Sequence, residues 1–302
     1  MSPQVPGHVS VLRSQVSELL SPAGRRLLVD CTVGLGGHAE ALLDEAGMDA
    51  RLIGIDLDEA NLSRTKRNLN RFGKRVRLFQ ANFADVADVL DAAGQGRADL
   101  LLADLGVAST QLDDPRRGLS FQADGPLDMR LDVSQGGDAA GMVNRLGEAE
   151  LADLIYAYGD ERHSRRIARA IVAARSKKSI ERTAELARIV TGAIPRSAGS
   201  ARRGIHPATR TFQALRIAVN DELGSLERLL ASLPLVLAPS ARAGIISFHS
   251  LEDRRVKQSF AHLVETGTAR ALTKKPVCAT VEEIATNSRS RSAKFRAIEW
   301  VR

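Results

Sequence analysis

The stretch Leu27-Leu28-Val29-Asp30-Cys31-Thr32-Val33-Gly34-Leu35-Gly36-Gly37-His38 constrains this chain more than any other. An apolar run ends in an acid, three glycines fall within four residues, and a helix-like segment begins at Ala39. That order reads as a strand, a tight turn and a helix N-terminus. Glycine suits such a turn because, lacking a Cβ, its backbone takes positive φ and can approach a ligand closely. Taken alone, these residues fit a nucleotide-like ligand or a ligand-free strand-to-helix connection.

The following segments favour the ligand. Residues 51–56 form a second predicted strand that ends in Asp56, 22 residues past Gly34. An acid there is where a ribose hydroxyl pair would be held. Residues 59–72 read as helix, 76–80 as a third strand and 98–104 as a fourth. Strands alternating with helices at this interval predict right-handed βαβ units and a parallel sheet, an α/β fold. The small-residue loop from Leu105 to Gln111 follows the fourth strand, at the end where open α/β sheets place their ligands.

Two ligand classes compete for that crevice. Gly34-x-Gly36-x-x-Ala39 fits the dinucleotide fingerprint in its alanine-ended form. A pyrophosphate, however, needs an approach free of negative charge, and Asp30 stands at the mouth of the first strand. An acid suits a cationic ligand without phosphate, such as S-adenosylmethionine (SAM), over NAD. Both remain open at this point.

From Glu148 to Val219 the chain is helical and basic. Leu151, Leu154, Ile155 and Tyr158 make one apolar stripe, Ile167, Ile171 and Ala174 a second, and Leu186, Ile189, Val190 and Ala193 a third. Residues 160–216 hold fourteen Lys or Arg against four Asp or Glu, in a chain whose net charge is +7. The positive charge is therefore concentrated there. Arg162, Arg166 and Arg169 fall at i, i+4 and i+7 opposite an apolar stripe, as a solvated face or as a grip on a phosphate backbone. A fifth strand at 243–250, a helix at 252–263 and a late strand at 293–300 resume the sheet. Residues 1–109 and 207–302 thus form one sheet domain, and 110–206 an inserted, mainly helical one.

Composition sets the remaining bounds. No apolar run approaches the length that spans a bilayer, and the first twenty residues lack a signal-peptide pattern. Two distant cysteines, Cys31 and Cys278, predict no disulfide framework and a reducing, cytoplasmic setting without membrane attachment. Asp124, Asp128 and Asp132 have hard-metal chemistry, but Arg116, Arg117 and Arg130 beside them can neutralise them, so no metal is assigned.

Several motifs resemble a known family. They are Asp30-x-Thr32-x-Gly34-x-Gly36-Gly37-His38, Asp104-Leu105-Gly106-Val107-Ala108-Ser109, Gln111-Leu112-Asp113 and Arg117-Gly118-Leu119-Ser120-Phe121. Asp124-Gly125-Pro126-Leu127-Asp128-Met129-Arg130, the run from His206 to Ala214, Ser247-Phe248-His249-Ser250-Leu251-Glu252-Asp253 and the tail from Arg289 to Lys294 complete them. In this order, from about His8 onward, they resemble the bacterial 16S rRNA (cytosine(1402)-N(4))-methyltransferase family, MraW or RsmH. The resemblance implies a Rossmann-like SAM-dependent methyltransferase sheet with an inserted helical substrate-recognition domain. It implies rRNA methylation at a decoding-centre cytidine, with 16S rRNA in the small ribosomal subunit as partner. Cofactor contacts are implied for Gly36, Gly37, His38, Asp56 (ribose), Phe83 (adenine), Asp104 and Gln111, the last two toward the methyl donor. Ala108 and Thr110 depart from the family's Ser and Pro, and Ser288 from its Pro. A homodimer is left open.

The reaction class can also be argued from residue types. Carbon-5 methylation of a pyrimidine uses a covalent nucleophile, usually cysteine. Neither Cys31 nor Cys278 is at the fourth-strand loop, which favours attack by an exocyclic amine. Asp104 is the best acceptor for that amine and the candidate catalytic residue. Phe121 is the candidate platform for a base taken out of its stack. His249 reads as a structural histidine before it reads as a base. The competing classes are a non-catalytic RNA-binding or ribosome-assembly protein on a SAM fold, and an NAD-dependent oxidoreductase, which would bind NADH in preference to SAM.

Overall fold

The computed structural model describes residues 10–134, 136–195 and 206–301. His8, where the family resemblance begins, and the Ser-, Gly- and Arg-rich stretch 196–205 lie outside the described residues. Two compact units are present, residues 1–106 with 223–302, and residues 107–222.

The first unit is built on an eight-stranded sheet: β1 (Leu27–Asp30), β2 (Arg51–Asp56), β3 (Val76–Gln80), β4 (Ala98–Asp104), β5 (Leu237–Ser247), β6 (Ala269–Ala271), β7 (Val277–Cys278) and β8 (Lys294–Trp300). Its order is β3-β2-β1-β4-β5-β8-β6, with β7 paired to β8. β1 to β5 pair in parallel, and β8 is antiparallel to β5, β6 and β7. The chain runs outward from β1 to β3, then returns to lay β4 on the other side of β1. The carboxyl ends of β1 and β4 therefore flank the topological switch point, where such sheets bind ligands.

Alternate strand residues enter opposite cores. Val29, Ile53 and Leu101 face one buried cluster, while Leu28, Leu52 and Leu100 face the other. Helices Val86–Ala92, Glu222–Val236 and Ser250–Glu265 cover the first face. Helices Arg13–Leu20 and Gly37–Ala46 cover the second. Burial on both faces is why β1 reads as an unbroken apolar run rather than an alternating one. Truncating a fully buried leucine here, such as Leu100, would cost about 2–5 kcal/mol.

The second unit packs helices Glu148–Gly159, Ser164–Arg175, Thr183–Ala193 and Thr209–Val219 around Leu151, Ile155, Ile167, Ile171, Leu186 and Val190. The three apolar stripes read in the sequence supply its core, apart from Tyr158, which stays outside it. Thr209–Val219 belongs here because Phe212 and Leu215 join the same core, whereas the sequence reading placed residues from 207 onward in the sheet domain.

Residues 113–132, which lack periodicity, are ordered by crossing hydrogen bonds. Met129 N–H donates to Arg117 O (2.9 Å) and the Arg117 guanidinium to Leu131 O (3.2 Å). Asn220 accepts from Leu131 N–H and donates to Met129 O, each at 2.8 Å, mimicking a strand partner. Gly118, at φ 66°, faces Pro126 O so closely that a Cβ would collide with it.

The structure differs from the sequence reading in three further places. The predicted helix at 59–72 stops at Asn68, and a 3₁₀ segment, Asn70–Arg75, continues across Gly73 (φ 56°, ψ −128°). β5 begins at Leu237 rather than 243, because Pro239 and Ser240 mask its start. Arg162 precedes helix Ser164–Arg175, so only Arg166 and Arg169 of the predicted triplet ride on it. No helix among the described residues is long and apolar enough to cross a membrane.

Candidate active site

The carboxyl ends of β1, β2 and β4 bring three carboxylates to one edge of the sheet: Asp30, Asp56 and Asp104. The glycine turn passes among them. Gly34 and Gly36 adopt φ values of 52° and 88°, the left-handed region predicted for this turn. Gly36 is the residue before helix Gly37–Ala46, and a Cβ on it would sit 3.1 Å from Thr65 and Leu69. A Cβ on Gly37 would collide with the Ser10 hydroxyl.

Asp56 is fixed from three directions. Its Oδ2 accepts Gly34 N–H (2.9 Å), its Oδ1 accepts Asp58 N–H (2.8 Å), and the Asn61 amide lies 3.5 Å from both oxygens. Each carboxylate oxygen keeps a lone pair free of backbone. Burial pushes the Asp56 carboxyl up to about 6, against those hydrogen bonds, which favour the ionised form.

Asp30 is fully buried and, among the described residues, accepts one hydrogen bond, from Thr32 N–H (3.1 Å). Burial raises its carboxyl to about 7, opposed by His38 and reinforced by the charges of Asp104 and Asp56. Thr32 ties β1 to β4, since its hydroxyl oxygen accepts Asp104 N–H at 2.6 Å. Sequence reasoning did not single out Thr32 for any role, nor Asn61 and Thr65. The available signal was polarity at positions 61 and 65, on the helical stripe where Leu69 is apolar and buried.

His38 projects from the first turn of helix Gly37–Ala46 and is buried. Its Nε2 lies 3.6 Å from Asp104 Oδ2, an ion-pair separation too long for a hydrogen bond. His38 Nε2 and Asp104 Oδ1 are both buried and lack a hydrogen-bond partner among the described residues. Buried polar atoms are normally satisfied, so two orphans side by side at a switch point mark where a ligand completes the structure.

Phe83 opens a 3₁₀ turn just past β3, half-buried against the first core and positioned by the Asn82 cap. The structure thus gathers Gly36, Gly37, His38, Asp56 and Asp104 at the carboxyl edge, with Phe83 just past the end of β3. Gln111 lies in the second unit, where it is buried and its Oε1 accepts Ala108 N–H (2.9 Å).

Other candidate residues have structural employment. Asp128 pairs with Arg130 (2.7 Å), Asp124 with Arg182 (2.7 Å), and Asp132 accepts the Ser134 hydroxyl and N–H. The Ala184 N–H on Asp124, together with those interactions, holds all three carboxyls below the usual range. Phe121 packs against Phe212 (4.9 Å, edge-on) and His206 (4.6 Å) rather than standing clear. His249 caps helix Ser250–Glu265, with Glu252 returning bonds to Phe248 and His249 N–H. The Cys31 thiol is buried and pushed well above its usual value, which makes it a poor nucleophile.

The carboxylate-rich edge is hostile to a pyrophosphate and open to a cation, so the crevice fits a SAM-type ligand better than a dinucleotide. Comparison with known proteins finds relatives named as methyltransferases. Ribosomal RNA small subunit methyltransferase H of Geotalea uraniireducens is 46% identical over 309 residues, covering 97% of this chain and 98% of the relative. The proteins of the same name from Sorangium cellulosum and Symbiobacterium thermophilum are 50% and 47% identical. These alignments cover 97% and 96% of this chain, and 91% and 96% of the relatives. The MraW methylase family profile matches residues 6–301, spanning both units. On its Rossmann-like sheet, its acid-ringed glycine turn and that match, the chain belongs to the MraW methylase family.

Proposed function

We propose that this chain transfers a methyl group from SAM to the exocyclic N4 amine of a decoding-centre cytidine, position 1402 of 16S rRNA, in the small ribosomal subunit. The observation that carries the reading is the pair of orphaned buried atoms, His38 Nε2 and Asp104 Oδ1, beside Asp30 and the glycine turn. The names of the relatives support the rRNA target. When bound, SAM supplies an electrophilic methyl group on a sulfonium.

The chain's own residues divide the remaining work. Gly36 and Gly37 let the backbone approach the cofactor, and Asp56 takes the ribose hydroxyls. Phe83 would lie toward the adenine, and His38 would serve the methionine end. Asp30 and Asp104 give a negative field that suits the cation. Cytosine N4 is a weak nucleophile because its lone pair is delocalised into the ring. Asp104 would accept an N–H of that amine, orient it, and take the proton released when the methyl group passes from sulfur to nitrogen and the C–S bond breaks. Alignment of this kind is worth up to about 7–11 kcal/mol. The basic second unit grips the RNA backbone.

Two measurements test this. Calorimetry should show SAM binding in preference to NADH, and no SAM binding would remove the enzymatic reading in favour of a non-catalytic RNA-binding role. Asp104→Asn should keep the circular dichroism spectrum while methyl transfer to small subunits falls by roughly 10²-fold or more. Full activity would take Asp104 out of the mechanism. Mapping the modified nucleotide in rRNA with and without the protein checks the position.

A further inference from the structure

Between Ala60 and Ala84 the chain carries seven Lys or Arg and no Asp or Glu, a charge equal to that of all 302 residues. This run lies in the sheet unit, outside the basic inserted segment. It forms helix Glu59–Asn68, the 3₁₀ segment Asn70–Arg75 and β3.

Three of the seven cations have internal duties. Arg71 pairs with Glu40 and Asp44. Arg75 donates to Ala50 O and Gly47 O at the end of helix Gly37–Ala46, and Arg77 donates to Ala93 O. The other four, Arg64, Lys66, Arg67 and Lys74, are exposed and have no counter-ion among the described residues. Lys66 and Arg67 share a surface concavity with Ser63 and Asn70.

The face of the helix opposite Lys66 and Arg67 holds the cofactor turn. The Thr65 hydroxyl donates to Gly34 O, the Asn68 amide to Leu35 O (2.9 Å), and Asn61 approaches Asp56. An anion seated on the outer face would therefore lie one helix diameter, roughly 10 Å, from the glycine turn. The nearby apolar residues Leu69 and Phe72 point inward and are buried. A membrane-seeking surface would expose such groups among its cations. Cations interleaved with a hydroxyl and an amide, around a hollow, match a phosphate–sugar backbone instead.

We infer that Arg64, Lys66, Arg67 and Lys74 form a second RNA-docking surface, on the sheet unit, that holds the phosphate backbone of the substrate rRNA beside the cofactor turn. This rests on the rRNA-methyltransferase reading above. The surface carries no sequence information; it positions the strand, while the crevice selects the base.

The test compares the full-length quadruple variant R64Q/K66Q/R67Q/K74Q with wild type and with R254Q/K257Q/K274Q/K275Q, which removes equal charge elsewhere on the unit. In the patch variant the slope of log Kd against log salt for small-subunit rRNA should fall by about 3, at roughly 0.7–0.9 per lost phosphate contact. KM for rRNA should rise while kcat and SAM affinity by calorimetry hold. The control variant should keep the wild-type slope. An unchanged slope and KM in the patch variant, or equal losses in both variants, would overturn the docking surface while leaving the methyltransferase reading intact. Loss of binding to anionic phosphatidylserine vesicles with rRNA binding unchanged would also overturn it, in favour of a membrane surface. Wild type that neither binds nor methylates rRNA would remove both.

Discussion

Asp30 buries a carboxyl at the carboxyl edge of the sheet, where it accepts the Thr32 N–H, and burial lifts it to about 7. Between the ordinary value of 3.8 and about 7, the folded chain keeps a proton that the unfolded chain has released. Stability therefore declines as pH rises through that window and levels off above it. The shift corresponds to a cost on the order of 4 kcal/mol above pH 7. Asp30→Asn keeps an oxygen for Thr32 N–H and removes the charge. It should melt higher than wild type at pH 8, converge with it near pH 4, and bind SAM more weakly. Equal melting temperatures at pH 8 would show that the buried charge is compensated by something else. At Asp56, raised to about 6, the same logic predicts that SAM affinity falls as pH drops through 6, because a protonated carboxyl accepts ribose hydroxyls poorly.

Helix Glu59–Asn68 braces the glycine turn through Thr65 and Asn68. Thr65→Val preserves shape and removes the hydroxyl, leaving Gly34 O without its side-chain donor. Melting temperature should fall by the amount that losing one buried hydrogen bond of about 1–1.5 kcal/mol implies, and SAM affinity should weaken as the turn loosens. An unaltered Kd would mean that the turn holds its form without the brace.

The strands of this region were legible because each is an apolar run closed by an acid or glutamine, and β2 and β4 match their predicted bounds. Asp30, Asp56 and Asp104 were visible for the same reason. The partition of helix Thr209–Val219 was not, since an apolar stripe states that a face is buried and not which core buries it. Thr32 was equally hidden, because its partner, the backbone of Asp104, lies 72 residues away. Phe121 illustrates the converse: a conspicuous aromatic in a polar loop is packed by Phe212 and His206, which come from a distant segment.

At the scale of the whole molecule, each hydrophobic cluster is confined to one unit. Trp300 is the single tryptophan and lies buried in the sheet core, so its fluorescence reports that unit alone. Circular dichroism in the helical band reports both. SAM at a hundred times its Kd should stabilise the sheet unit by about 2.7 kcal/mol. The fluorescence midpoint should then rise, with a smaller rise for the helical signal. Equal shifts would indicate that the units unfold as one.

β4 and β5 are hydrogen-bonded neighbours, yet Asp104 and Leu237 are separated by the entire second unit. During synthesis at about 5–20 residues per second, β4 emerges on the order of ten seconds before the strand that covers its edge. For that interval Leu100, Leu101 and Leu102 border an open, apolar strand edge, the geometry most prone to unwanted pairing. The second unit, with a core of its own, can fold in that interval. The length of the insertion would then set how long the nascent edge stays open.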